Sequence, residues 1–341
     1  MKVLLSLVLV TVTASLLDAQ PLFRNEAPLE VTFTTNLRDM LRQRDSTRLE
    51  WFGTEMRYVD EDGTERTIPV ELRLRGHFRR QASNCSFPPL FVRTAREVRD
   101  GTIMQGNPRV KIVTPCRPGN REYQDYIFTE YQVYKAYEII EPVHHRTRLA
   151  RITYVDSSGR SDPLSVYAFF LETADEVGDE HGMENVETMR VLWSFMNRPA
   201  VDRLALFQYW VGNTDWSVAN LHNIVLFQTQ EWDYYPVAYD FDWTGAVNAR
   251  YARPNDVIGL RSVRQRKHRG PCRTAEEWAP TIAYFKERRA ALDAVWNNPL
   301  PEQDANRLQG TRRFLDDFWS VLDDPRLFRR HIIEDCQGDG N

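Results

Sequence analysis

Within "GNTDWSVANLHNIVLFQTQEWDYYPVAYDFDW", residues 212–243, five oxygen-bearing side chains flank two strand-like runs: Asp215, Asn220, Asn223, Asp240 and Asp242. Carboxylates and amide oxygens are hard donors. They suit Mg2+ or Mn2+, ions that keep several ligand positions for water and substrate phosphates. The runs 223–227 and 234–239 read as a hairpin closed around Gln230–Asp233. In an antiparallel pair the start of the first strand lies beside the end of the second. All five residues are therefore expected at one end of that hairpin.

The order of types narrows the chemistry. An Asp, an Asn five positions later, a strand, and a second Asp after the next strand is how protein kinases arrange the acceptor-side Asp and the metal ligands. Asp215, Asn220 and Asp240 follow that order, with Asn223 and Asp242 as further ligand candidates. Such sites also use a strand Lys paired with a helix Glu. "RVKIV" places Lys111 on a strand. Glu130 falls on the apolar side of the next helix with Ile127, Tyr134 and Tyr137, where an unpaired carboxylate is costly. A Lys111–Glu130 ion pair is the expectation. No G-x-G-x-x-G is present; Gly76 stands among Arg73, Arg75, Arg79 and Arg80, and arginine side chains can hold phosphates in place of backbone amides.

The elements that must position these residues fall into two halves. Before residue 172 strand signals dominate: "TIPVELRLRG" alternates with period two behind an Asp62-Gly63 turn, and further strands are expected at 90–93, 109–113, 149–155 and 166–171. One helix, "REYQDYIFTEYQVYKAYEII", interrupts them. Residues 173–185 read as a polar hinge, and helical patterns follow at about 186–197, 200–211, 280–296 and 310–324. The result is an α+β plan with a β-rich half at 20–172 and a helical half carrying the hairpin at 173–341.

With those residues in place, the chain resembles the spore-coat-protein-H (CotH) kinase family, in the D-x4-N-x2-N loop, the later "YDFDW", and "ELRLRGHFRR", which is similar to that family's R-x-R-G segment. The resemblance covers roughly residues 65–270. It implies a bilobal protein-kinase-like fold and phosphoryl transfer from ATP to Ser, Thr or Tyr of a protein substrate. Carried over, Asp215 would be catalytic and Asp240 the principal metal ligand; beside them, Lys111, Glu130 and Arg75 are the residues expected to serve the nucleotide. A catalytically inactive binding or surface-assembly protein, and a metal-dependent glycosyltransferase using the D-x-D, are the alternatives.

Composition bounds the partners. The 341 residues are 42% hydrophobic and 27% charged with formal net charge -4, so no global basic field favours nucleic acid. Residues 1–19 read as a signal peptide cleaved before Gln20, giving a secreted or periplasmic chain with no later membrane span. Cys85, Cys116, Cys272 and Cys336 are an even set for such a compartment. Pairing within each half, Cys85–Cys116 and Cys272–Cys336, is favoured over the other two connectivities. "RSVRQRKHRG", 261–270, reads as a solvated basic face or a dock for an acidic substrate.

Overall fold

The computed structural model describes residues 21–338 apart from 61 and 255; the expected signal peptide, 1–19, lies outside the described residues. Short helices Pro21–Arg24 (α1), Leu37–Arg42 (α2) and Arg96–Arg99 (α3) decorate strands Leu29–Thr35 (β1), Phe52–Val59 (β2), Glu65–Leu74 (β3), Leu90–Arg93 (β4) and Arg109–Val113 (β5). Helix Arg121–Ile140 (α4) then leads to the hairpin Thr147–Asp156 (β6) and Leu164–Leu171 (β7).

These seven strands form a closed barrel in the order β1-β2-β3-β4-β5-β7-β6. The expected bilobal protein-kinase-like fold is therefore incorrect, although the α+β class holds. The cause is β1, whose "LEVTFTT" alternates buried and open positions. It pairs antiparallel with β2 and parallel with β6, from Leu29 opposite Ala150 to Thr35 opposite Asp156. Closure leaves no unpaired edge for another chain to template on. Period-two alternation sends Val31, Phe33, Leu72, Leu74, Leu90, Val92, Val110, Ile112, Ile152 and Phe170 inward to one apolar core. It sends Arg73, Arg75, Phe91, Arg93, Arg109 and Lys111 to the outer face of β3–β5.

The second half holds Ala174–His181 (α5), Glu184–Val186 (β8), Arg198–Val211 (α6), Ile224–Gln228 (β9), Tyr234–Ala238 (β10), Ala275–Asn297 (α7), Ala305–Asp323 (α8) and Pro325–Phe328 (α9). Two local expectations fail here. The hinge at 173–185 contains α5, nucleated by a capping box in which Thr173 and Glu176 satisfy each other's backbone donors. The expected helix at 186–197 is absent: 184–186 joins β9 as an edge strand, and only a turn of tighter helix forms at Trp193–Phe195.

Helix α4 is the shared axle. Its Tyr134, Tyr137 and Ile127 belong to a single core with Phe169 and Leu171 of the barrel wall and Phe207, Trp210, Phe241 and Phe318 of the helical half. Cys85–Cys116 and Cys272–Cys336 are both disulfides, the favoured pairing. No helix among the described residues is long and apolar enough to cross a membrane.

Candidate functional site

Helix α6 ends at Gly212, whose φ of 66° is left-handed and whose absent Cβ would sit 2.7 Å from the Phe314 ring. Only glycine meets both demands, and it turns the chain sharply into the Asp215 loop. The buried Asn213 side chain accepts the Asp215 amide at 2.9 Å. Ser217 and His222 exchange backbone hydrogen bonds at 2.9 Å, closing the loop on itself. The Asp215 carboxylate is then gripped from two sides: His222 Nε2 lies 2.9 Å from Oδ1, and Asn223 Nδ2 donates to Oδ2 at 3.1 Å and to the Asp215 carbonyl at 2.7 Å.

Asn223 leads into β9 and Asp240 follows β10, both with left-handed backbone, φ 53° and 61°. The Tyr239 amide donates to the Asn223 carbonyl at 3.1 Å, so the two strained residues sit side by side, as the hairpin geometry requires. Non-glycine residues held this way need support from their surroundings and cluster at functional sites. The support is α4: the Asp240 amide donates to the Tyr134 hydroxyl at 2.8 Å, and the Ala238 amide to the Tyr137 hydroxyl at 3.2 Å. Phe241, fully buried against Tyr134, Tyr137 and Phe207, anchors the turn.

Four of the five expected hairpin residues therefore gather at one end. Asn220 does not: it is exposed, and its amide donates to Ser217 Oγ. Loop closure through Ser217 and His222 points it to solvent.

The Lys111–Glu130 pair does not form. Glu130, only 1% exposed, faces Arg79 at 4.0 Å, and the same guanidinium reaches Asp242 at 3.8 Å. Arg79 comes from the irregular Gly76–Phe87 connection, which is tied down by Cys85–Cys116 and by the Ser86 and Phe87 amides donating to the Cys116 carbonyl. Its other nitrogen donates to the Thr114 carbonyl. Pinned there, the guanidinium occupies the place that the sequence left open for the lysine. Lys111 instead stands over the Tyr239 ring, 5.0 Å from its centroid, with no ion-pair partner among the described residues.

The electrostatics follow from this exchange. Burial, then the Asp240 charge, raises the Asp242 carboxyl to about 7 against the opposing pull of Arg79 and a hydrogen bond from the Tyr251 hydroxyl at 3.0 Å. Burial and the neighbouring Asp242 push Glu130 well above the usual carboxylate range. Burial works against charge on Arg79 too, but Tyr251, Asp242 and Glu130 outweigh it and keep it firmly protonated. Lys111 forms no ion pair among the described residues, and the pull of Asp240 is too weak to hold its charge. Desolvation first, then repulsion from Arg75, brings it down to about 7. Arg75 is also lowered by desolvation, with Asp240 pulling the other way.

Could these residues hold a divalent ion? No group of three His, Cys, Asp or Glu side chains among the described residues is arranged as a metal cage. Asp242 is spent on Arg79 and Tyr251, and Asp215 on His222 and Asn223. Asp240 is different: no hydrogen bond or ion pair engages its carboxylate among the described residues. One free carboxylate fits a cation of the Mg2+ type, which needs only one or two protein acids when substrate phosphates supply the rest.

The basic run 261–270 corrects another expectation. Three of its arginines are not a solvated face but are turned onto backbone carbonyls. Arg269 Nη1 donates to the carbonyls of Thr214 and Trp216 at 2.8 and 2.6 Å, bracketing Asp215. Arg264 and Arg266 donate to carbonyls of Gly245, Gly310, Tyr209 and Trp210, with their guanidiniums over the Phe314 ring. These arginines satisfy backbone acceptors that the loops leave over. Sequence reasoning also passed over His222, although it lies inside the very loop that carried the motif. Arg79 was legible only as one of the arginines around Gly76 and Tyr134 only as part of an apolar helix face, and Tyr251 gave no signal beyond residue type.

Toward the Arg109 end of β5 opens a cavity of about 1000 Å³ lined by Trp51, Arg93, Arg109, Arg146, Thr173 and Glu176 among others. Comparison with protein-family models and with curated proteins gives no match.

Proposed function

We propose that the protein is a metal-dependent phosphotransferase, moving a phosphoryl group from a nucleoside triphosphate, with ATP the first candidate, to a hydroxyl of a protein substrate. The observation that carries this reading is the opposition of two unlike carboxylates at one hairpin end: Asp215, oriented by His222 and Asn223, and Asp240, held on strained backbone with no side-chain partner among the described residues. Cations from the barrel side, Lys111 and Arg75, lie near Asp240. The sequence resemblance to the CotH kinases rests on the same acids and supports the same chemistry on a different architecture.

In this reading Asp215 orients or deprotonates the acceptor hydroxyl, as a base within hydrogen-bond reach must. Lys111 and Arg75 hold donor phosphates, and a bound anion supplies the charge that Lys111 lacks. Arg79 keeps Asp242 and Glu130 compensated beneath the site. A divalent ion shared between Asp240 and the phosphates would neutralise charge on the transferred group.

The two acids should fail differently. Asp240→Ala is expected to remove metal-dependent nucleotide binding. Asp215→Ala is expected to leave that binding nearly intact and to cut transfer by about two orders of magnitude or more. Calorimetry with Mn2+–ATP and transfer from labelled ATP read the two effects separately. Tight binding without transfer in the wild type would turn the reading to a non-catalytic binding protein. Preference for a nucleotide sugar would turn it to a glycosyltransferase, and no nucleotide bound with any metal would end it.

A further inference from the structure

The outer face of β3–β5 carries more positive charge than its surroundings balance. Arg73 lies directly across from Phe91, Phe91 across from Lys111, and Arg93 across from Arg109. The guanidiniums of Arg73, Arg75 and Arg109 stand 5.5, 5.5 and 5.3 Å from the Phe91 ring centroid. Those of Arg73 and Arg93 stand 4.5 and 4.1 Å from the Trp51 ring. Glu71 compensates Arg93 at 2.6 Å and Asp175 compensates Arg109 at 3.2 Å. Arg73, Arg75 and Lys111 have no ion pair among the described residues.

Like charges on neighbouring strands repel. For Arg73, burial and then the charges of Arg109 and Arg93 disfavour its protonated form. Nothing in the barrel requires this arrangement, because the inward residues alone make the core. The rings offset part of the cost through cation–π contact, and the remainder is the debt that an anion would settle.

We infer that this arginine rack, Arg73, Arg75 and Arg109 around Phe91 with Lys111 at its end, is a binding site for a condensed phosphate chain. The guanidiniums surround one phenyl ring, so their charges lie within a small radius. Adjacent phosphates in a chain present charge at that density, whereas peptide carboxylates are spread by the backbone between them. Planar guanidiniums also match phosphate oxygens in pairs. The rack runs from Lys111, beside Asp240, along the wall of the 1000 Å³ cavity at Arg93 and Arg109. It deepens the phosphotransferase reading and, as to the donor's route to Asp240, rests on it. The binding itself does not.

The test is calorimetric titration of the full chain, in chelator without metal, with sodium tripolyphosphate, sulfate and ATP. The wild type is expected to bind tripolyphosphate at least about tenfold more tightly than sulfate, and Arg73→Gln to lose about tenfold. Arg73→Lys should recover only part, since it restores charge but not the planar fork. Because Arg73 packs on Trp51, Arg109→Gln, at a partly exposed side chain, repeats the test should Arg73→Gln not fold. ATP tighter than tripolyphosphate identifies a nucleoside triphosphate as the source; equal affinities identify the free chain; both support the rack. Tripolyphosphate no tighter than sulfate, or folded variants that bind it like wild type, would overturn it. Tripolyphosphate binding without phosphoryl transfer removes the proposed function and leaves the rack. Transfer from ATP without tripolyphosphate binding does the reverse.

Discussion

The hairpin end and the barrel wall face each other across the site on opposite terms. On the hairpin side every acid but one has a local partner, drawn from the same short loop: His222 and Asn223 for Asp215, Tyr251 for Asp242. On the barrel side the cations arrive from separate strands and connections, and their compensation is uneven. Arg79 serves two buried carboxylates while Lys111, on β5, has no ion pair among the described residues. Local sequence builds the acid side; only the closed barrel decides which cation meets it.

Arg79 is the strongest place to break that contrast. It is 9% exposed and faces two buried carboxylates, so replacing it leaves both without a cation. Removing one member of a buried charge group costs about 3–5 kcal/mol, mostly through the partner left behind. Arg79→Met is expected to lower the urea midpoint accordingly, and adding Asp242→Asn should recover part of the loss, because the acid that Arg79 holds charged is then neutral. Additive losses in the double variant would show that Arg79 acts through packing and its bond to Thr114, not through the acids.

Lys111 should behave in the opposite sense. Its folded pKa, about 7, lies below the ordinary lysine value of 10.5. Between those two pH values the unfolded chain holds the extra proton, so this group's contribution makes stability rise with pH. Its penalty is full below about 7 and gone above the unfolded value. Lys111→Met should therefore be more stable than wild type at pH 7, with the advantage shrinking toward pH 10. Denaturant melts of both proteins at several pH values give the difference directly. A variant less stable than wild type at pH 7 would mean that an acid pairs with Lys111 after all.

The same asymmetry explains what was legible in the sequence. Strands 90–93 and 109–113 were readable to the residue, because alternation and flanking turns act over a few positions. Asp215, Asn223, Asp240 and Asp242 were readable as one cluster, because antiparallel pairing fixes which ends meet. The parallel pairing of β1 with β6 joins segments more than a hundred residues apart, and no short-range pattern announces it. The Lys111–Glu130 expectation was sound about cost, since Glu130 is indeed buried and does need a cation. It failed on supply: the irregular connection after Gly76 delivers Arg79 first, held by a disulfide whose geometric consequence lies in three dimensions. The basic run at 261–270 misled for the same reason, since a string of arginines looks alike whether it meets water or backbone carbonyls.

The smallest expected effect separates two asparagines that the sequence treated as equals. Asn223 holds the Asp215 carboxylate and its carbonyl, on backbone at φ 53°. Asn223→Ala loses those hydrogen bonds and strains an alanine into left-handed backbone, a cost of about 1–3 kcal/mol. Asn223→Gly relieves the strain and should regain part of that stability, yet any weakening of phosphoryl transfer should persist, because Asp215 still lacks its clamp. Asn220 is exposed, bonded only within its loop to Ser217, and Asn220→Ala should stay within about 0.5 kcal/mol of wild type. Its Mn2+–ATP affinity should likewise match wild type. If instead Asn220→Ala weakens metal–nucleotide binding as strongly as Asp240→Ala, the loop must rearrange around the ligand, bringing Asn220 inward as the D-x4-N spacing first suggested. The division between a finished acid side and an unbalanced cation side would then give way as the ligand binds.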